Sequence, residues 1–229
     1  MKNIFSYDSK FMNMLGSVAD SIILNVMFLI CCLPVVTIGA AFTALFSACR
    51  ALAEDGAPYR AFFKGLRSGF VRSTLAWLVL LPVLVLLALT SYTVFYYMKQ
   101  EVALGLFTFI ISLVGLFTVL CVTSMVFLFY SRFECTLRQL LKNGLLMHLA
   151  YLIRSTIIGV LNWMPVLAFF LMPDLFLQLG LIWLFLYSGV AGNLSVWLMK
   201  KPFDKLTEEV EGVPAPEEVE DQEDSPVVL

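Results

Sequence analysis

The sequence predicts an all-α, polytopic helical membrane protein with about six membrane helices, and three observations carry that prediction. Hydrophobic residues fill 60% of 229 positions and charged residues only 14%, with a mean hydropathy of +0.89, whereas soluble domains carry roughly 25% charged residues. Uncharged runs extend over residues 21–49, 73–98, 102–131, 155–172 and 175–199, lengths that suit a bilayer. Lys and Arg collect in every second connection between them, as cytoplasmic loops do.

The first run holds the organising feature. Leu33-Pro34-Val35-Val36-Thr37-Ile38-Gly39 places a helix-stopping Pro34 and a flexible Gly39 inside uncharged sequence, dividing it into two arms, each short for a full crossing. Two antiparallel helices or a re-entrant hairpin both fit, and both return the chain to the side it came from. Folding about residues 35–38 brings Asp20 and Arg50 to similar depth, where they are predicted to pair, the alternative being that both point into headgroups or water. The Thr37 hydroxyl is placed to cap the second arm. Residues 1–16, with Lys2 and Lys10 among Ile4, Phe5, Phe11 and Leu15, suit an interfacial amphipathic segment. The first apolar run starts too far from the terminus for a cleaved signal peptide.

Between the hairpin and the next run, Arg50, Arg60, Lys64, Arg67 and Arg72 face only Glu54 and Asp55. Phe62, Phe63, Leu66 and Phe70 recur at helical spacing, which predicts an amphipathic helix on the cytoplasmic surface. The crossing at 73–98 contains Pro82, expected to kink it, and ends in Tyr92, Tyr96 and Tyr97 as an interfacial belt. After an outer turn at 99–101 and the crossing at 102–131, a second basic segment carries Arg132, Arg138, Lys142 and Arg154. Glu134 stands four residues before Arg138, a favourable helical ion pair, and Leu137, Leu140, Leu141, Leu145 and Leu149 predict a second amphipathic helix. A crossing with Pro165 then turns at Pro173-Asp174, and the last crossing closes at Lys200-Lys201.

This count leaves both termini cytoplasmic and divides the chain into residues 1–16, a transmembrane domain at 17–205, and an acidic tail at 206–229 expected to be disordered. Nine of the 17 acidic residues follow Lys205, so the embedded body sets 8 acids against 15 bases. The five cysteines are read as small buried hydrophobes, and no structural metal or cofactor is expected. Nucleic-acid binding has no support beyond basic residues already explained by topology, and no long small-xxx-small seam dominates any helix.

Two stretches read alike. Phe62-Phe63-Lys64-Gly65-Leu66, Arg72-Ser73-Thr74 and Pro82-Val83-Leu84 are echoed by Leu140-Leu141-Lys142-Asn143-Gly144-Leu145, Arg154-Ser155-Thr156 and Pro165-Val166-Leu167. The pattern predicts a parallel repeat about an axis along the membrane normal.

Leu33-Pro34-Val35-Val36-Thr37-Ile38-Gly39, with Phe62-Phe63-Lys64 and the stretch from Arg132-Phe133 to Leu140-Leu141-Lys142-Asn143, resembles the YesL-like family of bacterial integral membrane proteins, a domain of unknown function, over most of residues 10–200. Where such proteins often have proline after the glycine, this chain has Ala40. The resemblance implies a cell-membrane protein encoded beside carbohydrate uptake systems, hence an accessory or transport role, and brings no catalytic residues. Residues 51–66 are also similar to the coupling helix of binding-protein-dependent sugar permeases, which makes a sugar permease or its nucleotide-binding subunit an expected partner besides the bilayer. A carrier would gather Asn25, Thr37, Thr123, Asn162 and Asn193 around one cavity; a scaffold or signalling partner would instead dock a cytosolic protein through the amphipathic loops. An enzyme is not expected, because the interior offers no carboxylate, nucleophile or metal set poised for chemistry.

Overall fold

The computed structural model describes residues 10–54, 56–97, 102–178, 180 and 186–211. Its principal helices are α1 (Lys10–Cys32), α2 (Ile38–Ala53), α3 (Pro58–Tyr97), α4 (Val102–Tyr130), α5 (Leu137–Ala150), α6 (Leu152–Leu171), α7 (Pro173–Gln178) and α8 (Ser188–Glu211), with a 3-10 turn at Val35–Thr37. Two compact units divide the chain, residues 1–198 and 199–229; the described part of the second is the final stretch of α8. Four segments are long and apolar enough to cross a membrane, at Val35–Ala53, Pro58–Tyr96, Gly105–Tyr130 and Leu152–Phe169, and Ala19–Cys32 is a shorter apolar helix. The protein is a polytopic helical membrane protein.

The first two helices form the expected hairpin, but its parts work differently from the sequence reading. Thr37 does not cap α2. Its hydroxyl donates to the Cys31 carbonyl at 2.6 Å, which the end of α1 leaves open, and lies 2.9 Å from the Pro34 carbonyl. Gly39 is not a flexible joint. It lies inside α2, and a Cβ there would sit 2.6 Å from the Ser73 carbonyl oxygen, 2.7 Å from Trp77 Cβ and 2.8 Å from Phe127 Cζ. Glycine is required because three helices converge on that point. The predicted Asp20–Arg50 pair is absent; Asp20 accepts a hydrogen bond from the Tyr59 hydroxyl on α3. The partner differs because the chain turns at the end of α2 and brings α3 back alongside.

Helix α2 is the protein-enclosed element: 61% of its apolar window is buried, against 6% for α3, 11% for α4 and 22% for α6, whose exposed Leu, Val, Ile and Phe side chains face lipid. Without a strong hydrophobic drive between helices in a bilayer, association relies on close backbone approach at small residues. Gly39, Thr43 and Ser47 on α2 run antiparallel to Gly65, Gly69 and Ser73 on α3. The Thr43 and Ser73 hydroxyls bond at 3.0 Å, and a Cβ on Gly65 would meet Ser47 Oγ at 2.8 Å. This is the small-residue seam that sequence inspection did not find, its spacing disguised by Thr and Ser.

Helix α3 corrects a second expectation. The amphipathic surface helix and the following crossing are one helix of 40 residues, about 60 Å long at 1.5 Å per residue. Nothing at Arg72-Ser73 stops a helix, and Pro82 lies within it without ending it. Trp77 Nε1 donates to the Val35 carbonyl at 2.7 Å, fixing the hairpin tip beside the middle of α3. The twenty residues that follow Trp77, up to Tyr97, extend about 30 Å beyond the tip, roughly the hydrocarbon thickness. Over that distance α3 is joined to α4 by the Ser91–Ser112 hydroxyl pair at 2.8 Å and by Phe95 against Phe109.

The repeat is visible in packing. Gly65 abuts Ser47 and Gly144 abuts Val126, each pair eighteen residues apart; Gly39 abuts Trp77 and Gly159 abuts Cys121, each thirty-eight apart. Thus α2 with α3 corresponds to the second half of α4 with α5 and α6. Phe62 and Leu140, Ser73 and Ser155, and Ala76 and Ile158 are fully buried counterparts. The copies differ at the junction: α3 is continuous, whereas Tyr151 separates α5 from α6. Glu134 precedes α5 and forms no ion pair with Arg138; the i, i+4 geometry requires both on one helix, and α5 begins only at Leu137. There the Gln139 side-chain oxygen takes the Thr136 backbone N–H at 3.2 Å.

Helix α1 is continuous from Lys10, and residues 1–9 of the expected interfacial segment lie outside the described residues. The outer turn 99–101 also lies outside them, as do parts of the last crossing. At Pro173-Asp174 the chain starts α7 rather than a bare turn. Helix α8 continues to Glu211, past the expected start of the acidic tail; residues 212–229 lie outside the described residues.

Candidate functional site

The three asparagines that a carrier would gather around a cavity are spent on holding helices together. Asn25 is fully buried and accepts the Ser188 backbone N–H at 3.2 Å; Asn193 Nδ2 donates to Ser21 Oγ at 3.4 Å; Asn162 Nδ2 donates to Ser195 Oγ at 3.0 Å and to the Ile158 carbonyl at 2.8 Å. Thr123 bonds within its own helix, to the Val119 carbonyl at 2.7 Å. These bonds tie α8 to α1 and α6, the usual work of amides and hydroxyls between membrane helices.

A polar cavity of about 260 Å³ opens instead between the C-terminal half of α2, the N-terminal half of α3 and the link from α4 to α5. Arg50, Lys64 and Arg132 supply three cations; Glu54 and Glu134 supply two carboxylates; Thr43, Ser47, Ser68, Tyr130 and Ser131 supply hydroxyls. Its shape follows from the seam described above. Gly65 and Gly69, with Ala51 and Ala61, keep bulk out of the wall, and a Cβ on Gly69 would strike the Tyr130 ring at 2.9 Å. Tyr130 is 6% exposed, and its hydroxyl has no partner among the described residues. The Arg132 guanidinium lies over the Phe133 ring at 5.9 Å.

Of the residues singled out in the sequence, the cavity unites Arg50, Lys64 and Glu134. Asp20, Pro34, Thr37 and Gly39 belong to the hairpin. Arg72, Arg138 and Lys142 are exposed, and Arg154 stacks over Tyr151 at 5.9 Å. Pro82 and Pro165 lie inside α3 and α6. Sequence reasoning missed Tyr130 and Ser68 as members of this site. The available signal was the run Tyr130-Ser131-Arg132 at the end of a long apolar helix, where a tyrosine reads as an interfacial anchor.

One histidine–serine pair needs weighing against catalysis. His148 Nδ1 and Ser155 Oγ lie 2.6 Å apart, but the residues are 4% and 0% exposed, and the bond links α5 to α6 across Tyr151. Ser73, the counterpart of Ser155, bonds instead to Thr43 on α2, and the His148–Ser155 pair holds the junction of α5 with α6. Burial pushes His148 below its ordinary value. The unfolded chain therefore takes up the proton first, and stability falls as pH drops below about 6.5 towards the depressed value. The melting point in detergent is expected to fall between pH 7 and pH 5 and His148→Gln to flatten that dependence; equal slopes in both proteins would refute it.

Residues 21–90 match a family model described as a protein of unknown function, DUF624. The match covers the second half of α1, all of α2 and most of α3, and is consistent with the YesL-like resemblance. No curated protein and no solved structure matches the chain.

Proposed function

We propose that this protein is a non-enzymatic accessory component of carbohydrate uptake in the bacterial cell membrane, with both termini cytoplasmic, that engages a sugar permease or its nucleotide-binding subunit through its basic end. The observation that carries this reading is the fate of the intramembrane amides. Asn25, Asn162 and Asn193 all bond between helices, which leaves them unsuited to line a solute path, while polar concavity and charge collect at the basic end. The YesL-like resemblance supplies the link to carbohydrate. The segment similar to a permease coupling helix forms the corner from α2 into α3, where an approaching soluble subunit would meet Arg60, Lys64 and Arg67.

A scaffold or signalling partner is the second reading, supported by the same exposed basic turns at the start of α3. The test is direct. The purified protein in liposomes is expected to take up no sugar, and co-expression with a sugar permease and its nucleotide-binding subunit is expected to yield a complex that withstands purification. Uptake by the protein alone would replace the accessory reading with a carrier. A complex with neither, with a different soluble protein bound, would favour the scaffold.

A further inference from the structure

We infer that the cavity between α2, α3 and the α4–α5 link is a binding site for a small phosphate ester that carries free hydroxyl groups. The inference goes beyond the docking role proposed above and does not depend on it.

Four features of the cavity lead to this chemistry. First, its cations exceed its carboxylates by one, and they come from three separate elements: Arg50 from α2, Lys64 from α3 and Arg132 from the link. Neither Arg50 nor Lys64 has an ion-pair or hydrogen-bond partner among the described residues for its side chain, although Glu54 and Glu134 line the same space. Arg50 and Lys64, two cations at one cavity that nearby acids do not neutralise, suit an anion from outside the chain, and guanidinium with ammonium is the donor set that phosphate oxygens favour.

Second, Tyr130 lines the cavity with more than nine-tenths of its surface buried and its hydroxyl unpartnered. The ring is enclosed while the unpartnered hydroxyl opens into the cavity, where a phosphate or hydroxyl oxygen would complete it. Third, Glu54 and Glu134 are exposed and, as carboxylates, can only accept hydrogen bonds. They would repel a bare polyanion but suit the hydroxyl donors of an esterified polyol. Fourth, about 260 Å³ falls just below the range of roughly 300–1,000 Å³ for drug-sized ligands, so the occupant is small.

A free polyol phosphate and the headgroup of a glycerol phospholipid share this chemistry. The full-length protein in a neutral detergent should be titrated calorimetrically with sn-glycerol 3-phosphate, using glycerol as the uncharged control. In parallel, native mass spectrometry should compare retention of phosphatidylglycerol with that of phosphatidylcholine. We expect saturable binding of glycerol phosphate over glycerol, preferential retention of phosphatidylglycerol, or both; the first identifies a free phosphate ester and the second a lipid headgroup. Lys64→Gln alters an exposed side chain and should weaken the bound species about tenfold with an unchanged melting point, while Tyr130→Phe should weaken it several-fold. No preference for either phosphate over its control would overturn the inference, as would binding to Lys64→Gln and Tyr130→Phe at wild-type affinity. Loss of phosphate binding with permease association intact removes this inference alone; the converse removes only the docking role.

Discussion

Replacing Gly39 with leucine is expected to leave no folded protein, and even Gly39→Ala is expected to lower stability by about 1–3 kcal/mol. The added Cβ would lie 2.6 Å from a backbone oxygen, and the other two neighbours, Trp77 Cβ and Phe127 Cζ, belong to buried residues of two different helices. Backbone cannot rotate away as a flexible side chain can, so α2 and α3 must separate. Separation also stretches the Thr43–Ser73 bond and the contact of Gly65 with Ser47. Helix propensity works in the opposite direction, favouring alanine over glycine by up to about 1 kcal/mol, and it is outweighed at this position. Gly16 supplies the control. It lies in a helix with nothing within 4 Å of its notional Cβ, so Gly16→Ala should be neutral or slightly stabilising. Thermal unfolding in detergent measures both; equal effects at the two sites would refute the close-approach account.

The second large effect is expected at Trp77. Its ring stacks on Trp163 at 6.3 Å and approaches Phe127 at 6.5 Å, while Phe42 joins the same cluster through Phe127 at 6.2 Å and Trp163 at 5.8 Å. Truncation of such a residue to alanine costs about 3–5 kcal/mol in packed interiors. The indole also donates to the Val35 carbonyl in the exposed hairpin tip. Trp77→Phe should therefore separate two contributions: it keeps most of the aromatic packing and loses a bond of about 1 kcal/mol. The expected order of melting points is wild type, then Trp77→Phe, then Trp77→Ala well below. Near-equality of the first two would mean that the tip is held by packing alone.

Much of this arrangement was legible in the sequence, for identifiable reasons. Pro34 removes a helix donor within uncharged sequence, so a break there could be read without coordinates. The repeat could be read because its landmarks, Gly65 with Gly144 and Ser73 with Ser155, are positions where helix contact permits little bulk. Partners across space were less accessible. Asp20 was matched with Arg50 because opposite charges at similar depth are the strongest one-dimensional cue, whereas the actual partner, Tyr59, lies beyond a corner whose direction no residue announces. The continuity of α3 was missed because a change from amphipathic to wholly apolar composition resembles a boundary, although the backbone needs a proline, glycine or cap to stop. The cavity was only half visible. Its charges stand out, but Tyr130 becomes a site residue only when Gly69 lets its ring press against α3.

The account rests on the chain reversing at Pro34–Gly39 beside Trp77, so that the start of α1 and the end of α2 emerge on the same face of the membrane. The most direct measurement is labelling of single cysteines, Gly16→Cys and Ala53→Cys, in an otherwise cysteine-free protein, with an impermeant thiol reagent applied to right-side-out and then inverted vesicles. The account predicts that both positions react in the same one of the two preparations and that neither reacts in the other. Reaction of Gly16→Cys in one preparation and Ala53→Cys in the other would mean a single crossing through residues 17–52, and would contradict it.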